Sequence, residues 1–120
     1  MTKEVVITGI GMISPVGNSI DDSWNNLING NSGIDTIKSF DPSELETKIA
    51  GEIKDFNPID LIGKKESRRM DRFSQLALVA AQEALNSAQL NIDETNEHRV
   101  SVMITSGIGG IITISEQINV

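Results

Sequence analysis

Apolar positions along the chain fall into two short runs and three periodic stretches. Val5-Val6-Ile7 and the segment Val100 to Thr105 are the runs, and they predict strands covered on both faces. Ile20, Trp24, Leu27 and Ile28 recur at helical spacing. Ser19-Ile-Asp-Asp22 supplies a hydroxyl cap and first-turn acids for that helix, and Asn29-Gly30 supplies its stop. Trp24 is expected in the core. The longest periodic stretch runs from Met70 to Leu90. Its apolar face of Phe73, Ala77, Ala80, Ala81, Ala84, Leu85 and Ala88 is built mainly of small residues, so other backbones can approach it closely. That predicts a central helix. Ile111, Ile112, Ile114 and Ile118 begin a third helix with no glycine, proline or basic stop before Val120. The expectation is that the sequence is cut within an element.

Between residues 31 and 63 the pattern is mixed. Asp41-Pro42-Ser43 marks a turn, Ile49 to Ile53 a short strand with a glycine bulge, and Phe56-Asn-Pro58 a further break. This stretch is expected to be mostly irregular, with short elements that wrap over a core. The order strand, helix, irregular cap, helix, strand, glycine loop, helix predicts an α/β architecture with parallel strands.

Both predicted strands run into glycines, which raises the question of nucleotide binding. Gly9, Gly11 and Gly17 are expected to adopt backbone conformations closed to residues with a Cβ. A dinucleotide fingerprint fails, however. Ser14 stands where Gly or Ala is needed, and Pro15 disfavours helical geometry at Ser14, so no helix opens toward a pyrophosphate. The second loop, Ser106-Gly107-Ile108-Gly109-Gly110, is followed by no lysine, which excludes a phosphate loop of the triphosphatase type.

Composition narrows the classes further. The chain has no cysteine and one histidine, His98, in the polar run Asp93 to Arg99 that predicts a surface loop. No thiolate, imidazole pair or metal-ligand cluster is available, so no catalytic residue and no metal site is assigned. Hydrophobic content is ordinary for a folded domain, and aromatics are limited to Trp24, Phe40, Phe56 and Phe73. No apolar run approaches the ~20 residues of a membrane span. Met1-Thr-Lys-Glu leads into a strand without a signal-peptide pattern, so the expected compartment is the cytoplasm.

The net charge of −7 argues against nucleic acid as a partner. The charge is unevenly spread. Lys64, Lys65, Arg68, Arg69 and Arg72 are five of the ten basic residues, within nine positions. With Glu66 and Asp71 that window carries +3, leaving −10 elsewhere. A basic island on an acidic chain points to an anionic partner met at one place.

Taken whole, Thr-Gly-Ile-Gly-Met-Ile-Ser-Pro-Val-Gly-Asn18, followed by Trp24, Leu27 and Gly30-x-Ser-Gly33-Ile34, resembles the N-terminus of the β-ketoacyl-acyl-carrier-protein synthases. Lys65-Glu-Ser-Arg68-Arg69-Met70-Asp71-Arg-Phe73 and Ser106 to Gly110 resemble the elongating type II members. Three motifs in the right order span almost the entire chain, with weaker agreement at 35–53 and 91–98.

The resemblance implies residues 1–120 of a thiolase-like, layered α-β-α-β-α fold, incomplete here, from a homodimeric enzyme. It implies decarboxylative Claisen condensation of acyl and malonyl thioesters. The family's nucleophilic cysteine, two histidines and lysine lie past residue 120. It implies acyl carrier protein, bearing acyl or malonyl phosphopantetheine, as partner, with no other cofactor, no membrane and no nucleic acid. It maps the far end of the acyl pocket onto Ile108 and carrier-binding positions onto Lys65, Arg68 and Arg69, flanked by Lys64 and Arg72. A non-catalytic carrier-binding module and a small α/β anion-binding domain are the alternatives from other classes.

Overall fold

The computed structural model describes residues 2–118. Five helices and one small sheet follow in the order α1 (Ile20–Ile28), β1 (Asp35–Thr36), β2 (Ile49–Ala50), α2 (Pro58–Ile62), α3 (Lys64–Ser67), α4 (Arg72–Ala88) and α5 (Ile111–Ile118). A single 3-10 turn, Glu97–Arg99, carries His98 at the surface. No helix among the described residues is long and apolar enough to cross a membrane.

The three periodic stretches form helices close to where the sequence puts them. Ser19 caps α1, its side chain accepting the Asp22 N–H at 3.1 Å. The face that α1 buries differs from the expected one. Ser23 is its one buried residue, while Trp24 is 62% exposed. The expectation of a core Trp24 is therefore corrected. The turn at Ser14–Gly17 covers the small Ser23, and no described element lies over the aromatic face.

The predicted strands are also corrected. Val5–Ile7 and Val100–Thr105 carry no regular secondary structure and form no ladder. Val5 is 95% exposed and Met103 is 89% exposed. A strand exists through its neighbours, and neither segment has a hydrogen-bonded one among the described residues. The only sheet among the described residues is antiparallel, not parallel. It pairs Asp35 with Ala50 and Thr36 with Ile49, and the Ile37 N–H extends it to the Lys48 carbonyl at 3.0 Å. Glu52 closes the pair, accepting the Lys38 N–H at 2.9 Å and the Ser39 N–H at 3.0 Å. The short strand expected within Ile49 to Ile53 is thus present as β2, paired with the unexpected β1, and 58–67 adds two short helices. Asn57 caps α2 through the Ile59 N–H, with Pro58 in its first turn.

What organises the molecule is the approach of the N-terminal segment to α4. A Cβ on Gly9 would lie 2.6 Å from the Ala88 nitrogen, and one on Gly11 would lie 2.8 Å from the Ala84 nitrogen. Both are overlaps. Neither glycine, nor Gly17, has a positive φ. The expected backbone freedom is not what these three use; they provide space for close approach to α4 and, at Gly17, to α1. The small-residue face of α4 is indeed what another backbone packs against. Glu83 then fastens the contact, accepting the Met12 N–H at 2.7 Å and the Ile20 N–H at 2.8 Å. One carboxylate on α4 holds both the glycine turn and the first turn of α1.

Candidate functional site

The basic island is shaped by a glycine. Gly63, at φ 94°, ends α2 and starts α3, a reversal that a residue with a Cβ adopts only under strain. α3 then displays Lys64 and Lys65, and the turn after it displays Arg68 and Arg69. All four are exposed. Beneath them Ser67 is buried, its backbone carbonyl accepting Gln75 Nε2 at 2.8 Å. The same amide reaches the Met70 carbonyl at 3.2 Å. Gln75 on α4 therefore holds the platform from below while the cations face outward.

Arg72 behaves differently. Its guanidinium lies 4.4 Å from the centre of the Phe56 ring, and Nη1 donates to the Phe56 carbonyl at 3.4 Å. Phe56, 8% exposed, is the one buried large hydrophobic side chain among the described residues. A guanidinium on an aromatic face gains from the ring quadrupole. Four cations point outward and the fifth is stacked against its own chain. The outward ones are weakly neutralised: Arg69 meets Glu66 at 4.0 Å, both well exposed.

At the other end of α4's first turn lies the glycine loop. Gly109 has φ 77°, and its N–H donates to Ser106 Oγ at 3.0 Å. Ile108, on this loop, is 69% exposed. An apolar depression of about 220 Å³ opens beside it, lined by Phe73, Leu76, Gly109, Ile111 and Ile112. Asp71 borders the same depression, and its carboxylate accepts the Thr113 hydroxyl. Sequence reasoning assigned Asp71 no role beyond its charge and its place in a motif, and did not single out Thr113. An acid directly before a helix signals a cap, and nothing local shows that this one reaches 42 residues forward.

The basic surface and the glycine loop thus sit on either side of one helix start, next to an apolar hollow. An anionic surface and an apolar chain could be received by neighbouring parts of one short region. The profile of the family described as "Beta-ketoacyl synthase, N-terminal domain" matches residues 2–119. The chain belongs to the β-ketoacyl synthase family and carries the N-terminal part of its thiolase-like ketosynthase fold.

Among curated relatives, a Staphylococcus aureus (strain COL) protein named 3-oxoacyl-acyl-carrier-protein synthase 2 is 51% identical over 111 residues, 92% of this chain. A Synechocystis protein of the same name is 43% identical over 96% of the chain. The solved structure described as "The ishigamide ketosynthase/chain length factor" superposes with a TM-score of 0.65 at 34% identity, over 72% of this chain and 21% of its own. The chain spans 27% and 28% of the length of these two curated relatives.

Proposed function

We propose that residues 1–120 are the N-terminal part of a cytoplasmic, homodimeric 3-oxoacyl-acyl-carrier-protein synthase of fatty-acid elongation. The observation that carries this is 51% identity over 92% of the chain to a protein of that name. In the reaction, a cysteine thiolate takes an acyl group from its carrier thioester. Malonyl-carrier loses carbon dioxide, and the resulting carbanion attacks the acyl-cysteine carbonyl. The thiolate is expelled, and a 3-oxoacyl chain two carbons longer remains on the carrier. This part of the protein contains no cysteine, so its contribution is scaffold, part of the acyl pocket and part of the carrier dock.

Lys65, Arg68 and Arg69, with Lys64 and Arg72 beside them, form the dock in this reading. Ile108 forms the far end of the pocket. The outward cations suit an acidic carrier surface. Rim charges of this kind act mainly on association rate and salt dependence. Each exposed pair contributes only about 0.2–1 kcal/mol, so the test needs several changes at once. In a full-length synthase carrying these residues, the triple change Lys65→Glu, Arg68→Glu and Arg69→Glu should slow carrier association and flatten its salt dependence. Wild-type binding and salt response in the triple variant would remove the island from the dock. Failure of the wild-type enzyme to form 3-oxoacyl-carrier from acyl- and malonyl-carriers would remove the reaction itself.

A further inference from the structure

Asp71 stands in the capping position of α4. Its backbone is extended, at φ −63° and ψ 157°, and its carbonyl accepts the Gln75 N–H at 3.0 Å. Yet its carboxylate makes no cap bond to its own helix. It accepts the Thr113 hydroxyl instead and lies against Gly110, where any Cβ would overlap the carboxyl group. Both partners belong to the start of α5. There the unpaired helix amides favour a negative charge, so a cap residue of one helix serves the first turn of another.

This matters because the glycine loop has few other restraints. Gly107 has no heavy atom within 4 Å of the position a Cβ would take. Inside the loop, Ser106 Oγ and the Gly109 N–H close a local turn that ties it to nothing outside. Among the described residues, the Asp71–Thr113 bond is the one side-chain hydrogen bond joining the loop and α5 to another element. The Ile114 N–H bonds back to the Gly110 carbonyl at 2.9 Å. Fixing Thr113 and Gly110 therefore fixes the end of the loop two residues from Ile108.

We propose that Asp71 is a positioning residue for acyl-chain selection: through Thr113 and Gly110 it sets where the loop holds Ile108, and so where the acyl pocket ends. This rests on the assignment of Ile108 to the pocket end. With the bond removed, the loop is free to give way before a longer chain.

The experiment uses the full-length synthase and acyl-carrier substrates of graded chain length. Thr113→Val removes the hydroxyl at equal size, Thr113→Ser keeps it, and Thr113→Ala replaces the valine variant if that one fails to fold. One methylene in an apolar pocket changes rates about 10- to 200-fold. A loosened pocket end should therefore raise the long-to-short rate ratio by roughly 10-fold, with the short-chain rate retained. Thr113→Ser should restore the wild-type profile. Asp71→Ala should reproduce the Thr113→Val profile, and the double variant should add nothing to it. An unchanged profile in Thr113→Val, or equal losses at all lengths, overturns the proposal. Ile108→Phe, run in parallel, separates the two ideas. If it alters the profile while Thr113→Val does not, the role of Asp71 falls alone. If neither variant alters the profile, the pocket assignment falls and takes the role of Asp71 with it.

Discussion

Gly11 faces Ala80 of α4 so closely that a Cβ on Gly11 would overlap the Ala80 carbonyl oxygen, with the Ala84 nitrogen 2.8 Å away. The obstacle is helix backbone, which cannot rotate aside. Gly11→Ala should therefore destabilise the full-length protein by about 1–3 kcal/mol or more, the range for overpacking. Gly30→Asn is the control: Gly30 has φ 70° and nothing around it, and Asn tolerates that conformation. Denaturant midpoints check this pair, and equal midpoints would mean that the approach to α4 relaxes freely.

Ile108→Phe adds bulk at the position assigned to the pocket end. The expected outcome is a loss of about 1–3 kcal/mol in transition-state stabilisation for long acyl chains and little loss for short ones. Values of kcat/KM across chain lengths decide it. A uniform loss would assign Ile108 to packing alone.

Expressed alone, residues 1–120 should lack both condensing activity and a cooperative unfolding transition. There is no cysteine to carry an acyl group. Val5, Ile7, Trp24, Val102, Met103 and Ile118 are each more than 60% exposed, and open apolar surface of this extent drives association or molten behaviour. Sharp, dispersed amide signals from a monomer would contradict this, as would acyl transfer above a protein-free control.

Glu52 gives a prediction for acid. Its carboxyl is held below its ordinary value of 4.5, first by the Ser39 hydroxyl and then by the Lys38 and Ser39 amides. A pKa depressed in the folded state adds stability that is fully present above the ordinary value. That stability is lost as pH falls below 4.5 through the lower folded value. In the full-length protein, Glu52→Gln should leave this part of the acid limb shallower. The Ser39 amide shift of the wild type should titrate below the ordinary carboxyl range. Titration at or above that range would show that the bonds to Glu52 do not hold in solution.

Local signals were legible in the sequence and non-local ones were not. α1, α4 and α5 follow from periodicity and caps that lie within each helix. α2 and α3 are too short for a period to show, and Gly63 interrupts them. Val5–Ile7 and Val102–Ile104 have strand composition, but composition cannot supply the neighbours that make a ladder. The outward cations of the island were visible as charge. The inward turn of Arg72 depends on Phe56, 16 residues earlier, and the diversion of Asp71 depends on Thr113. The glycines of the first motif were rightly singled out for the wrong reason, since only packing reveals that Gly9 and Gly11 supply clearance rather than conformational freedom.

The double grip of Glu83 fixes an order of events during synthesis. Its partners, the Met12 and Ile20 amides, emerge from the ribosome 71 and 63 residues before it. Until α4 has left the exit tunnel, the glycine turn can neither dock nor be fastened. Closing so long a loop carries an entropic cost that local helices escape. α1 can therefore form early, while the glycine turn before it, though translated sooner than α4, is set in place only after α4. In the cell that interval is when this N-terminus most needs shielding from aggregation.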